Sequence, residues 1–357
     1  MKRKIIPIFV PHEGCPHDCI FCNQKKITGF STSMTGEKAE SIILEHLSTL
    51  SKKKEKFDIE IAFFGGSFTA IETKKQIELL TVAKKYKDMG IVKDIRMSTR
   101  PDCIDEDILK LIQSYGASII ELGVQSMDEN VLIQSLRGHD REIVKKSSQL
   151  IKDYGFKLGL QQMIGLPGDS EEKSIRTAEE FVRIKPNFVR IYPTLVIKET
   201  GLERAYLDGY YNPFSLEESI EISRKLIAIY VKNNIDVIRV GLQATDDIKE
   251  GEDVVCGPYH PSFRELVHSR MIRDYLEKIL PDVFEEIVIS SANRNMSMIV
   301  GNKRSNRKFI NDKYNARFKT IINDENIDSM KVSVDGKCIR EINFTELKKE
   351  LYDIYKL

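Results

Sequence analysis

Strand and helix signals alternate from residue 5 to residue 245, and no other feature of the sequence restricts the fold as much. Residues 5–10 form an apolar run read as a first buried strand. Residues 59–64 form a second, which ends in Gly65-Gly66. Segments 94–98, 118–122, 157–161, 188–192 and 236–240 read as further strands. Between them, Ile108, Leu111, Ile112 and Tyr115 repeat at i, i+3, i+4 and i+7, with Asp105 as N-cap and Gly116 past the end. Ile143, Val144, Ser147, Leu150, Ile151 and Tyr154 repeat the pattern until Gly155. Ser215-Leu-Glu-Glu218 is a capping box that opens a helix to about Asn234. Such alternation over short connections means right-handed βαβ units and a parallel sheet. Six or seven units predict a full or partial β/α barrel, with a doubly wound open sheet as the alternative. No G-x-G-x-x-G follows the first strand, which weakens a dinucleotide-binding reading.

Composition narrows the class further. The 357 residues are 41% hydrophobic and 31% charged, enough for a sizeable core under a polar surface. Fifty-five Lys and Arg against 54 Asp and Glu exclude a uniformly basic nucleic-acid coat but leave room for a local basic patch. No apolar stretch approaches the ~20 residues that span a bilayer. The start, Met1-Lys-Arg-Lys and its apolar run, contains Pro7 and lacks a small-residue cleavage site. A cytoplasmic protein without membrane partners is expected.

Six cysteines are too few for a disulfide scaffold in a chain of this length. Cys103, Cys256 and Cys338 are isolated and read as small buried hydrophobes. Cys15, Cys19 and Cys22 instead share one short loop, Gly14-Cys-Pro-His-Asp-Cys-Ile-Phe-Cys22. Three clustered thiolates repel one another unless a cation or cluster holds them. One reading is zinc, with His12 or His17 as fourth ligand. The other is an iron–sulfur cluster with one open iron. Zinc ligands usually come as two C-x₂₋₄-C pairs, and no second pair exists, so the loop after the first strand favours the cluster.

Polar signals gather at one end of the strands. Gly65-Gly-Ser67 follows the second, Ser98-Thr-Arg100 the third, and Gly123-Val-Gln-Ser126 the fourth. Met163-Ile-Gly-Leu-Pro-Gly168 follows the fifth and Tyr192-Pro-Thr194 the sixth. Barrel enzymes build their sites on this C-terminal face.

These residues resemble the radical S-adenosylmethionine (SAM) superfamily over about 5–245. The carrying pattern is C-x₃-C-x-Φ-C, with Phe21 as the aromatic residue, then Gly-Gly-Ser after the second strand. Within the superfamily the chain resembles the Elongator catalytic subunit, a tRNA wobble-uridine modifying enzyme. Phe64-Gly-Gly-Ser-Phe-Thr-Ala70, Thr99-Arg-Pro-Asp102, Glu121-Leu-Gly-Val-Gln-Ser126, Arg137-Gly-His139 and the stretch 192–202 carry that likeness. Oxygen-independent coproporphyrinogen III oxidase is a more distant likeness. The resemblance implies an α/β fold, a partial (β/α)6 TIM-like radical SAM barrel over 1–245, with a small α+β C-terminal domain over 246–357. It implies a [4Fe–4S] cluster on Cys15, Cys19 and Cys22, and SAM against Gly65, Gly66 and Ser67. Phe21, Arg100, Gln125, Arg137 and Gln161 fall on further cofactor-contacting positions. The chemistry implied is reductive cleavage of SAM to a 5′-deoxyadenosyl radical, with a one-electron donor such as flavodoxin or ferredoxin. RNA (tRNA or rRNA) is the expected substrate. A small molecule or peptide is the second reading, and a non-enzymatic zinc or cluster module the third. No catalytic side chain is assigned.

The likeness has limits. The first cysteine spacing of Elongator is longer, and no acetyl-CoA loop motif follows residue 245, so acetyl-CoA-dependent carboxymethylation is not carried over. Residues 246–253 read as a solvated acidic linker and 255–261 as a rigid segment. Tyr192 and His260 are candidate substrate contacts. Residues 301–320 carry seven cations against Asp312, and Lys303, Arg304 and Arg307 are candidate phosphate contacts. The order expected there is a strand at 297–300, a turn at 301–304, a helix, then strands near 330–334 and 338–342. The second glycine of a G-x-x-G loop is missing, because Arg304 stands in its place.

Overall fold

A computed structural model describes residues 2–10, 15–23, 33–52, 56–242, 253–325 and 327–357. His12 and residues 246–252 of the acidic linker lie outside the described residues. The chain divides into two compact units, Met1–Pro213 with Ala244–Gly257, and Phe214–Gln243 with Pro258–Leu357.

In the first unit, strands β1 (Lys2–Val10), β2 (Phe57–Gly65), β3 (Asp94–Thr99), β4 (Ala117–Gln125), β5 (Lys157–Ile164) and β6 (Phe188–Pro193) lie side by side in chain order. All pair in parallel. A doubly wound sheet reverses its order at a switch point, and this one does not. It is the partial TIM-like barrel expected. Helices α1 (Gly36–Ser51), α2 (Thr73–Asp88), α3 (Glu106–Ser114), α4 (Glu129–Gln134), α5 (Arg141–Asp153) and α6 (Glu171–Ile184) connect the strands. Their starts follow from single residues. Thr35, Asp105, Asp128, Asp140 and Ser170 each accept a backbone N–H in the first turn. A short helix, α7 (Gly201–Leu207), and the two-stranded pair β7 (Val196–Ile197) and β9 (Val254–Cys256) complete the unit.

Strand alternation gives the sheet two faces. One carries Ile61, Phe63, Ile95, Met97, Leu122, Leu158, Leu160, Val189 and Ile191, all buried. The other mixes charged and polar side chains with Phe64 and Phe188. It carries Glu60, Arg96, Ser98, Glu121, Gln161, Arg190 and Tyr192. Arg96, fully buried, pairs with Glu60 and Glu121 at 2.8 Å each. Glu121 also meets Arg190 Nε at 2.6 Å, and Glu60 meets Arg3 at 3.0 Å. Arg96 stacks on Phe188 and Arg190 on Phe64.

The second unit holds α8 (Leu216–Lys232), opened by the expected Ser215/Glu218 capping box, then β8 (Asp236–Val240) and α9 (Phe263–Ile279). Strands β10 (Glu286–Ser291), β11 (Arg317–Ile322), β12 (Ser329–Val334) and β13 (Lys337–Asn343) form a mixed sheet in the order β11-β10-β12-β13. Helices α10 (Met296–Val300), α11 (Ser305–Tyr314) and α12 (Phe344–Ile354) accompany it. Whereas the linear reading breaks the chain at 245, α8 packs on α9 and α12 and so belongs with the later residues. The strand expected at 297–300 is instead the helix α10, and the strand lies earlier, at β10. Three apolar residues after Ser297 suit either state. Ile299 alone is fully buried here, and Asn306 Nδ2 donates to its carbonyl at 3.1 Å, which suits a helix end. The isolated cysteines are less buried than expected: Cys103 and Cys256 are half-buried and Cys338 is exposed.

Candidate active site

The cysteine loop sits over the C-terminal ends of β2 to β5 and encloses a cavity of about 130 Å³. Cys15, Cys19 and Cys22 all line it, with His17 and Phe21. The loop is pinned on both sides of its centre. Ile20 N donates to Ser135 O at 3.2 Å, and Leu202 N donates to Ile20 O at 2.7 Å. Cys22 N closes a turn on Cys19 O at 3.0 Å.

Gly65 and Gly66 form the wall after β2. Gly65 has φ of 109°, and a Cβ there would lie 2.5 Å from the Val10 carbonyl oxygen. Only glycine lets the turn fold across the end of β1. Ser67 follows, buried, with its Oγ 3.8 Å from Cys15 Sγ.

Two guanidinium groups reach the same sulfur. Arg137 Nη1 donates to Cys19 Sγ at 2.9 Å, and its other arm donates to Gly123 O. Arg100 Nη1 lies 3.7 Å from Cys19 Sγ. Arg100 also grips Asp102 through two bonds of 2.9 and 3.1 Å and donates to Arg137 O. Burial opposes the Arg100 charge, and Asp102 more than offsets it, so its pKa lies above the ordinary value. Burial first, then Asp102, pushes the nearby Cys103 thiol up to about 11.

Gln125 ends β4 after a register shift and has φ of 74°. Its side chain is buried, and its Oε1 has no hydrogen-bond partner among the described residues. An orphaned buried carbonyl is costly unless a donor arrives. Gln161 Nε2 donates to Ser98 Oγ at 3.4 Å on the same wall. Three thiols, a glycine cradle and an open acceptor fit a cluster with an amphoteric ligand. Among the described residues, no three His, Cys, Asp or Glu side chains converge on a single metal-ion position. A cluster needs no such convergence, because each cysteine holds its own iron.

The structure therefore brings together Cys15, Cys19, Cys22, Phe21, Gly65, Gly66, Ser67, Arg100, Gln125, Arg137 and Gln161. It leaves the other candidates elsewhere. Tyr192 is half-buried at the end of β6 and accepts from Arg190 Nη1 at 3.3 Å. In the second unit, His260 Nδ1 accepts from Ser262 N at 3.0 Å, a turn contact. Lys303 and Arg304 are exposed and left-handed, with φ of 50° and 62°. Arg307 borders a separate hollow of about 480 Å³ with Glu286 and Lys319. Ser98, Thr99 and Gly123, read from the sequence as polar signals on this face but given no individual role, also line the cysteine cavity. All three stand at the C-terminal ends of β3 and β4, beside Arg100 and Gln125.

The sequence profile of the Radical SAM superfamily matches residues 9–181, and that of the Radical SAM C-terminal domain matches 186–273. The chain belongs to the radical SAM superfamily. Elongator complex protein 3 of Bos taurus is 28% identical over 305 residues, 73% of this chain and 54% of that protein. The tRNA uridine(34) acetyltransferase of Methanocaldococcus jannaschii is 28% identical over 260 residues, 61% of this chain and 47% of that one. The solved structure of archaeal Methanocaldococcus infernus Elp3, with its N-terminus deleted, covers 96% of this chain and 78% of its own. Its TM-score is 0.60 at 21% identity, a likeness of fold. The chain spans about half the length of these curated relatives. Members of this superfamily are enzymes that carry a [4Fe–4S] cluster and SAM, and membership sets aside both the zinc and the non-enzymatic readings.

Proposed function

We propose that this radical SAM enzyme cleaves SAM reductively in the cysteine-loop cavity and uses the chemistry to modify RNA. The observation that carries the first half is the convergence of the cysteine loop and four strand ends on one cavity. Cys15, Cys19 and Cys22 would hold a [4Fe–4S] cluster. When bound, cluster and SAM together supply one-electron cleavage of a sulfur–carbon bond. Gly65 and Gly66 offer backbone carbonyls, and Ser67 a hydroxyl, to the methionine ammonium of SAM. Gln125 Oε1 accepts from a ribose hydroxyl, which satisfies the orphaned carbonyl. Arg137 and Arg100 hold positive charge beside Cys19, and Gln161 and Phe21 border the adenosine. A flavodoxin- or ferredoxin-like protein is the expected electron donor.

RNA as substrate is supported by the similarity to a tRNA uridine(34) acetyltransferase and to Elongator complex protein 3. The exposed Lys303, Arg304, Arg307 and Lys308 at the start of α11 add a basic face suited to phosphates. Tyr192 and His260 are the remaining candidate substrate contacts. No described helix is long and apolar enough to cross a membrane, and a cytoplasmic location is part of the proposal.

Anaerobic reconstitution tests the chemistry. About four iron and four sulfide per chain are expected, with 5′-deoxyadenosine formed from SAM and dithionite. Cys19→Ala abolishes both. Normal cleavage by that variant overturns the assignment. Salt-dependent RNA binding and an altered RNA nucleoside in cells lacking the gene test the substrate. Cleavage stimulated by a metabolite fraction and not by RNA would point to a small molecule instead.

A further inference from the structure

A second polar hollow, of about 360 Å³, lies wholly within the second unit. Arg264 and His268 enter it from α9, and Thr345, Lys348 and Lys349 from α12. Ile227, Val231, Ile235, Val237 and Ile238, from α8 and β8, give it an apolar wall. Asp236, at the start of β8, is its one acidic lining residue.

The cations here meet neutral groups and not carboxylates. Arg264 Nε donates to His268 Nε2 at 3.4 Å. Lys349 Nζ donates to the Asn234 side-chain oxygen at 3.0 Å. Among the described residues, no ion pair joins Arg264, Lys348 or Lys349 to an acid. Burial and then Arg264 pull the Lys348 ammonium down to about 8. Burial, Lys348 and Arg264 hold His268 well below the usual range. Lys232, in the same unit, does pair, with Asp353 at 2.9 Å. Withdrawing an ammonium beside a guanidinium costs stability unless an anion completes the group.

We propose that this hollow binds a phosphate ester. A guanidinium fork, two ammonium groups and the Thr345 hydroxyl match the several oxygens and double charge of phosphate better than a single carboxylate. Thr345 and Lys348 also belong to the first turns of α12, where backbone N–H groups favour anions. The apolar wall accommodates the organic part. The proposal is independent of the cysteine cavity and of the RNA reading.

Thermal unfolding of the full chain at matched ionic strength tests it, with inorganic phosphate as the probe. Phosphate raises the Tm of the wild type. Lys348→Met has the higher Tm without phosphate, because an unpaired cation is gone, and its response to phosphate is lost. Titration calorimetry shows phosphate bound about tenfold more weakly by Lys348→Met and by Arg264→Gln, with Lys348→Arg near wild type. An equal phosphate response in wild type and both charge-removing variants overturns the proposal, and so does a lowered Tm of Lys348→Met with phosphate binding intact. Two further probes identify the source. If Lys348→Met weakens binding of a short RNA and lowers its salt slope by about one, the phosphate is a backbone phosphate. If RNA binding is unchanged while binding of glycerol phosphate is lost, the ligand is a free ester.

Discussion

The two units each hold a group of charged side chains, arranged on opposite plans: fully buried at its centre in the first, half-buried to exposed in the second. In the first, Arg96 and Glu121 are both fully buried, and every charge in their chain faces its opposite, from Arg3 through Glu60, Arg96 and Glu121 to Arg190. In the second, Lys348 has Arg264 and His268 for neighbours. A chain of opposite charges balances itself and ties adjacent strands together, although Arg96 Nε within it has no hydrogen-bond partner among the described residues. An open group of like charges is incomplete alone. The cysteine cavity belongs to the second kind, with two arginines turned on one sulfur and an orphaned carbonyl on Gln125.

The sharpest way to break the comparison is to open the closed chain. Glu121→Gln leaves Arg96 and Arg190 facing a neutral amide. Removing one partner of a buried pair costs about 3–5 kcal/mol. Urea unfolding should show that loss with an unchanged m-value. A loss under about 1 kcal/mol would mean that water reaches the chain and that its burial is illusory.

Asp169 offers a third arrangement, a buried acid served mainly by neutral donors. Gly165 N, Ser170 N and Ser174 Oγ donate to it at 2.8, 2.9 and 2.8 Å. Burial nevertheless wins and lifts its pKa to about 6. The folded chain therefore holds this proton more tightly than the unfolded chain. Its contribution is full below the ordinary value of 3.8 and is lost as pH rises through about 6, on the order of 3 kcal/mol. Unfolding of wild type and Asp169→Asn across pH 4–7 measures it. Parallel profiles for the two would remove Asp169 from the comparison.

What could be read beforehand divides along the same line. Strand spacing, N-caps such as Asp105 and the cysteine loop are local patterns, and the structure places them as expected. The face that carries the cavity was legible because polar residues and glycines gather at the strand ends. The closed chain was not. Glu60 and Arg96 interrupt apolar runs as exposed charges would, and their partners stand 25 to 57 residues away. The phosphate hollow was hidden for the same reason, since Arg264 and Lys348 share neither helix nor motif. Residues 297–300 failed differently, as a run too short for periodicity to choose between strand and helix.

Gly159→Ala probes the packing around the closed chain. A Cβ there would stand 2.2 Å from the Phe188 ring and 3.1 Å from Glu121 Cγ. Phe188 carries Arg96 on its face at 5.0 Å, so displacing the ring disturbs the pair from one side. A loss of about 1–3 kcal/mol is expected, less than for Glu121→Gln because the charges stay paired. A loss equal to that of Glu121→Gln would show that ring and ion pair act as one unit.

The smallest stability effect falls in the open group. Gln125 Oε1 has no partner to lose, so Gln125→Ala removes a buried, unsatisfied acceptor along with some packing. The two terms oppose each other, and stability should change by no more than about 0.5 kcal/mol. SAM affinity should fall about tenfold if that oxygen meets a ribose hydroxyl. Equilibrium dialysis with SAM on the reconstituted protein, beside urea unfolding, separates the two readouts. A group held open for a ligand yields affinity loss with stability kept. A structural glutamine yields the reverse, and that result would move Gln125 into the closed class with Glu121.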